Sequence, residues 1–401
     1  MYRFYLTAFA LLLLPPFSGA SIAEALSGYA AAEFRLFTSK PAFPEQDTST
    51  LPPSLALEPE YLYEWNDGND RLTVVPFLRV DAADDERTHA DLRELNWLHI
   101  GSNWDLRIGL GKVFWGVTES RHLVDIINQT DFVENIDGED KLGQPMVNLN
   151  LLRDWGSLRL FVLPGFRERT FSGREGRFRS ALPVDTSRVV FESSAEQKHT
   201  DLALRWSHSV GDWDIGLAHF WGTSRNPRLQ IALDASGQPV LSPHYDIIHQ
   251  TSLDLQATKG SWLWKLEAIS KDGKGGRFAA MVAGFEYTFY NVLGTGADLG
   301  ILSEYLYDGR DEQAPATPFD DDIFLGARVA LNDSDNTQLL IGAVIDRKNL
   351  SKLFSIEANR RIGDRWVVEF ESRIFANVSF SDILFGQRED EFLQLRLKRF
   401  F

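Results

Sequence analysis

The amino-acid sequence predicts an all-β protein, a transmembrane antiparallel up-and-down β-barrel of about 18 strands. Three observations predict it. Apolar and polar residues alternate with a period of two through segments of nine to thirteen residues. Soluble strands average roughly five or six residues, whereas an oblique bilayer crossing needs roughly 9–11. No stretch beyond the N-terminal leader approaches about 18 consecutive apolar residues, so no membrane-spanning helix is expected. The connections also alternate between short and long, as a barrel with one turn face and one loop face requires.

The N-terminus carries Arg3, a compact apolar segment from Leu6 to Phe17 interrupted by Pro15 and Pro16, and then small residues through Ala20 and Ala23. This order reads as a signal peptide over residues 1–23, cut after Ala20 or Ala23 and used for export through the Sec pathway. The barrel is expected to occupy 24–401, leaving no room before residue 28 for a separate plug domain.

Strands are expected at 28–37, 55–65, 70–81, 89–100, 104–115, 145–153, 157–163, 199–208, 213–222, 247–258, 262–271, 277–290, 296–307, 323–331, 336–346, 353–362, 365–375 and 389–400. The alternation is clear where Trp262, Trp264, Leu266 and Ala268 interleave with Lys265 and Glu267, and where Tyr61, Tyr63 and Trp65 interleave with Glu60 and Glu64. It breaks in 28–37 and 89–100. Short turns such as Asn66-Asp67-Gly68-Asn69 and Gly363-Asp364 use residues that tolerate positive φ. The long connections 38–54, 116–144, 164–198, 223–246, 308–322 and 376–388 all follow odd-numbered strands and therefore share the extracellular face. Aromatic residues near strand ends (Tyr63, Trp65, Trp97, Trp104, Trp115, Trp155, Trp213, Trp221, Trp262 and Trp366) are expected in girdles at the lipid–water boundaries.

Composition narrows the function classes. The absence of cysteine excludes disulfides and thiolate metal sites, and a formal charge of −16 argues against a nucleic-acid partner. No cofactor or metal is expected, because Asp137, Glu139 and Asp140 lack the spacing of a calcium loop. Neither a GxSxG nor an HExxH motif occurs, so the chain is not read as an enzyme. His219, in phase with the outward residues Trp213 and Trp221, has no evident serine partner. Outward small residues such as Ala268 and Ala358 permit contacts in a homo-oligomer.

Residues 106–131 read LRIGLGKVFWGVTESRHLVDIINQTD. Arg107, Gly109, Trp115-Gly116 and Ile127-Asn128 resemble the Arg-hydrophobic-Gly strand, Trp-Gly pair and Ile-Asn loop of a family of largely uncharacterised proteobacterial porin-like barrels. The alternation and strand number are similar to those of the 18-stranded alginate-export barrels. The final strand, with Leu393, Leu395 and Leu397 ahead of Phe401, resembles the C-terminal signal read by the barrel-assembly machinery, although Arg399 departs from it. These resemblances imply a Gram-negative outer-membrane location among lipid and lipopolysaccharide. They also imply passive transport across that membrane without naming a solute; the chain is read as a channel for small hydrophilic solutes, with anionic ones or saccharides as candidates. An outer-membrane lipid-modifying hydrolase, or a structural or adhesive barrel, is the alternative.

If apolar positions face lipid, the opposite parity places Asp105, Arg107, Arg205, Lys265, Glu267, Arg328, Arg361, Glu369, Arg373 and Arg396 in the lumen, among others such as Glu33 and Glu304. They are candidates for lining and selectivity; pairing across adjacent strands to brace the wall is the other reading. Connection 116–144 holds the apolar run Leu123 to Ile127, which a solvated loop tip disfavours. It either folds inward as a constriction carrying Arg121, Asp125, Asn128 and Asp131, or forms a short helix over the mouth. Arg167, Arg169, Arg174, Arg177 and Arg179 in 164–198 are candidates to gather an anionic solute such as a carboxylated sugar, or to contact lipopolysaccharide phosphates.

Overall fold

The structure, a computed structural model, describes residues 26–401; the expected leader and its cleavage site lie outside the described residues. The strands are β1 (Leu26–Phe37), β2 (Pro53–Trp65), β3 (Asp70–Asp81), β4 (His89–Ile100), β5 (Trp104–Gly111), β6 (Gln144–Arg153), β7 (Gly156–Pro164), β8 (Val190–Phe191), β9 (Thr200–Val210), β10 (Trp213–Thr223), β11 (Arg228–Leu233), β12 (Pro239–Tyr245), β13 (Ile247–Lys259), β14 (Trp262–Asp272), β15 (Phe278–Phe289), β16 (Asp298–Asp308), β17 (Asp321–Ala330), β18 (Gln338–Asp346), β19 (Lys352–Ile362), β20 (Trp366–Ala376) and β21 (Phe392–Phe400). Eighteen of them form one antiparallel sheet. β21 pairs back onto β1 from Tyr29↔Phe400 to Phe37↔Phe392, which closes the barrel and leaves no free edge.

Each wall strand turns one parity outward. On β21 Leu393, Leu395 and Leu397 are exposed on the lipid side, while Phe392 and Gln394 are buried within. The strand expectations hold with end shifts of a few residues, and the broken alternation in 89–100 has a physical cause. Between Val75 and Pro76 the β3–β4 register slips, so that Val75 faces Glu94, Pro76 faces Leu92, and Arg93 is left as the extra residue of a bulge. Proline donates no ladder hydrogen bond, and a bulge accommodates it while re-aiming the extra side chain. Gly109 on β5 has φ +129, and a Cβ there would meet the backbone of Leu95 and Asn96. Its glycine therefore serves close strand approach.

Three expectations are corrected. The fifth strand ends at Gly111 rather than 115, because the chain leaves the wall and turns inward at Lys112. The long connections after β7 and β10 are not plain loops: β8, β11 and β12 form a separate three-stranded sheet from them. Trp115 is not a girdle residue; it is 3% exposed, sits 5.7 Å from the Phe161 ring and lies beneath the Arg205 guanidinium at 5.0 Å.

The lumen is also less polar than charge patterning suggests. Inward residues of β6 to β17, among them Phe161, Phe220, Ile248, Ile269, Val282, Leu302 and Leu306, form one buried cluster with Leu123, Val124, Ile126 and Ile127. Small and aliphatic residues on that half of the wall thus receive the apolar run of the connection, at roughly 25 cal/mol for each Å² of apolar surface removed from water.

Candidate functional site: the in-folded segment and the lumen

Residues 112–143 cross the interior and are held by wall carboxylates at one end and wall arginines at the other. Glu267 on β14, fully buried, accepts hydrogen bonds from the backbone N–H of Val117 (2.7 Å), Thr118 (3.1 Å) and Val124 (3.1 Å) and from the Thr118 hydroxyl (2.8 Å). Glu304 on β16 accepts from the N–H of Glu119 and Ser120, both at 2.8 Å, and from the Ser120 hydroxyl. A charged acceptor surrounded by backbone donors makes stronger bonds than a neutral one, so a loop turn is fixed without regular secondary structure. At the other end Arg79 Nε donates to both Glu134 oxygens at 2.9 Å, and the bulged Arg93 lies 2.6 Å from Asp131.

Asn128 ties the segment's ends together. Its Oδ1 accepts from Val113 N at 2.8 Å, while its amide donates to the carbonyls of Gly111 (2.9 Å) and Leu142 (2.8 Å). The Asp125 carboxylate meets Lys141 at 3.1 Å, and Asp131 Oδ1 accepts from the Thr170 hydroxyl at 2.6 Å. Of the two conformations left open by the sequence, the inward one is observed; no helix forms in 112–143.

His122 joins this anchorage. Its Nε2 is 3.2 Å from Glu139 and its Nδ1 3.8 Å from Glu267, with Asp125 also nearby. Burial pushes the imidazole down, but the flanking Glu139 and Glu267 outweigh it and hold the pKa up at about 10. A raised histidine stabilises the packed segment fully below its unfolded value near 6.5, and the contribution is lost as pH climbs toward 10. The in-folded segment is therefore expected to become more protease-sensitive between pH 7 and 10, an effect that His122→Gln should flatten. Limited proteolysis across that pH series checks it, and identical cleavage rates at both ends would refute it.

Most inward charges are paired. Arg205 makes a bidentate pair with Asp254 (2.7 and 2.8 Å) across the intervening β10, where Gly216 leaves room that a Cβ would occupy. Asp105 accepts from Asn150 (2.8 Å), and Arg107 donates to the Lys112 carbonyl (3.4 Å). Glu119 of the in-folded segment meets Lys265 (3.6 Å) and Arg328 (2.6 Å). Arg373 meets Glu357 at 2.7 Å, Glu369 meets Lys398 at 2.7 Å, and Arg396 meets Glu33 at 2.6 Å. Arg361 is exposed and makes no ion pair among the described residues.

The five loop arginines do not converge. Arg167 pairs with Asp91 (2.6 Å), Arg174 with Asp234 (2.8 Å) and Arg177 with Asp390 (2.9 Å), while Arg179 donates to the carbonyls of Arg174, Ser180 and Ala181. Arg169 alone of the five has no carboxylate partner. Arg167, Arg169 and Arg174 share a cleft of about 790 Å³ with Asp84, Asp91 and Asp234.

His89 Nε2, Asp131 Oδ2 and Glu134 Oε1 lie within 4.8 Å of one another, as metal ligands would. Arg93 and Arg79 already neutralise the two carboxylates, so the cluster has little charge left for a cation. On the outer surface His219 Nδ1 is 3.0 Å from the Thr251 hydroxyl. Among the described residues no carboxylate hydrogen-bonds the other ring nitrogen, so the orienting third group of a nucleophile–base arrangement is missing.

Solved structures share this architecture. A BenF-like porin from Pseudomonas fluorescens is similar at 11% identity and a TM-score of 0.53, over 94% of this chain and 97% of that one. OccAB3 from Acinetobacter baumannii is similar at 8% identity and 0.52, over 94% and 99%. Wzi, an Escherichia coli outer-membrane protein involved in group 1 capsule assembly and a carbohydrate-binding β-barrel, is similar at 9% identity and 0.52, over 93% and 84%. At these identities the likeness is one of fold. No family model and no curated protein matches the chain.

Proposed function

We propose that the chain is a porin-like channel of the Gram-negative outer membrane, passing small hydrophilic solutes that are anionic or saccharide in nature. The observation that carries this reading is the in-folded segment. A closed barrel with a lipid-facing belt needs no such element for stability, yet wall carboxylates and arginines position one across the lumen. The apolar run of the segment fills the half formed by β6 to β17 while its far end meets Arg79, Glu371 and Arg373, so a solute would skirt the segment near the charged inward residues of β19 to β21 and β2. There Glu357, Arg361, Glu369 and Lys398 supply both signs of charge, which supports polar transit. The carbohydrate-binding character of Wzi supports a saccharide among the solutes.

In this reading residues 1–23 direct export through the Sec pathway, and Phe401 engages the barrel-assembly machinery. Lipid and lipopolysaccharide surround the wall, and the outward small residues allow homo-oligomer contacts. Planar-bilayer recording of the refolded protein under a salt gradient tests the proposal. Discrete conductance steps, reduced by added oligosaccharide, are expected; a folded barrel with no steps would overturn it.

A further inference from the structure

Three cationic side chains gather around one carboxylate at the outer end of the lumen, and a fourth lies within electrostatic reach of one of them. Asp308, at the end of β16, takes Arg121 of the in-folded segment at 3.1 Å and Arg310 at 2.6 Å. Lys271 projects inward from β14 and is 7% exposed; in the register it stands directly opposite Phe278 of β15. The Arg310 guanidinium lies 5.1 Å from the centre of the Phe278 ring, so Lys271 of β14, Phe278 of β15 and Arg310 in the connection after β16 make one row. Lys271 has Asp308, Arg121 and Arg169 within electrostatic reach, but makes no ion pair or hydrogen bond among the described residues. Arg169, reaching in from the connection after β7, has no carboxylate partner either, and its buried Nε has no hydrogen-bond acceptor.

Elsewhere the interior matches its buried cations. Arg205 has Asp254, Arg35 has Glu33, and the other arginines around Glu33 also reach Glu134 (Arg79), Asp81 (Arg87) and Glu369 (Arg396). Asp322 also lies within electrostatic reach of Arg121 but ion-pairs with none of the four among the described residues. An ammonium and a guanidinium left in low-dielectric surroundings without a paired counter-charge are costly, so the unpaired Lys271 and Arg169 call for an anion. We infer that Lys271, Arg169, Arg121 and Arg310 form an oxyanion subsite that takes the phosphate or carboxylate group of a solute at the outer side of the constriction. Lys271 acts as a compact point charge, and Arg169 offers a fork for two oxygens. The subsite deepens the channel reading and rests on it for its role, but its binding is measurable without conduction.

The test titrates glucose 6-phosphate, glucuronate and glucose calorimetrically into the refolded full chain in detergent at constant ionic strength. At least one anionic sugar is expected to bind about tenfold or more tightly than glucose, and the ratio of the two anions identifies which oxyanion is preferred. Lys271→Gln and Arg169→Gln should each weaken the anion by about tenfold, and Lys271→Arg should restore much of the loss. Both glutamine variants delete a cation that lacks a carboxylate partner, so neither should impair folding. Equal affinity for glucose and the anions, or anion affinity unchanged in both variants, would overturn the inference. Lys271-dependent anion binding by a barrel that is silent in bilayers would remove the channel reading and keep the subsite. A conducting barrel indifferent to both substitutions would do the reverse.

Discussion

Replacing Glu267 and Glu304 together by alanine is expected to release the in-folded segment and raise single-channel conductance, with the barrel itself still folded. Glu267 accepts four hydrogen bonds from the segment and Glu304 three. Hydrogen bonds to a charged group contribute about 1.5–3 kcal/mol each, less where water reaches the freed donors. A loss of about 3 kcal/mol per carboxylate is therefore a low figure, and that alone raises the released population about a hundredfold. The wall should survive, because the ladders from β13 through β17 are backbone bonds that neither side chain makes. Glu267→Gln with Glu304→Gln should act in the same direction but more weakly, since each amide keeps one acceptor oxygen. Bilayer recording with limited proteolysis of residues 112–143 checks both variants. Unchanged current together with unchanged protection would show that the apolar cluster holds the segment without the carboxylates.

How far the sequence carries these conclusions differs from element to element. The wall was legible because period-two alternation is a one-dimensional record of a two-faced surface: Leu393, Leu395 and Leu397 face lipid wherever their neighbours fall. Short turns were legible through residues that tolerate positive φ, such as Gly260 and Gly363. The apolar run Leu123 to Ile127 marked a segment unsuited to water, and the structure shows why it turns inward: its partners are inward aliphatics on β13 to β17. Those partners went unnoticed because positions such as Ile269 and Val282 sit at the parity assigned to the lumen, where charge drew attention. Pairings between distant segments leave no local trace. Nothing near Glu267 signals that it receives the N–H groups of Val117 and Val124, some 150 and 143 positions away. The bulge at Arg93 was visible only as a break in alternation, since its cause is the opposing Pro76 on another strand. Lys271 was not among the inward candidates, and its lack of a partner is a fact of three dimensions. Arg169 and Arg121 were visible as candidates, but not that both lie near Lys271.

The second large effect is expected at the seam where the barrel closes. Glu33 on β1, 1% exposed, lies 2.6 Å from Arg396 of β21, 2.7 Å from Arg87, 3.3 Å from Arg35 and 3.4 Å from Arg79 of β3. One carboxylate thus offsets charge from the last strand, from its own strand and from the connection before β4. Removing one partner of a buried ion cluster typically costs about 3–5 kcal/mol, because the remaining charges stay buried without compensation. Glu33→Ala should fall in that range, in reversible urea unfolding followed by tryptophan fluorescence in lipid vesicles. Glu33→Gln keeps a hydrogen-bond acceptor but restores no charge, so it should recover only part of the loss. Adding Arg396→Met to Glu33→Ala removes one of the stranded cations and should also recover part, a non-additivity expected only of groups in contact. Strict additivity, or a Glu33→Ala cost below about 1 kcal/mol, would mean that the arginines reach water or other carboxylates and that the hub does not hold the seam. Arg79 also grips Glu134, so the same substitution should loosen the far end of the in-folded segment, opposite the end held by Glu267 and Glu304. Released from the seam side, the segment keeps its wall carboxylates and its apolar cluster, so conductance should rise less than in the Glu267→Ala/Glu304→Ala variant.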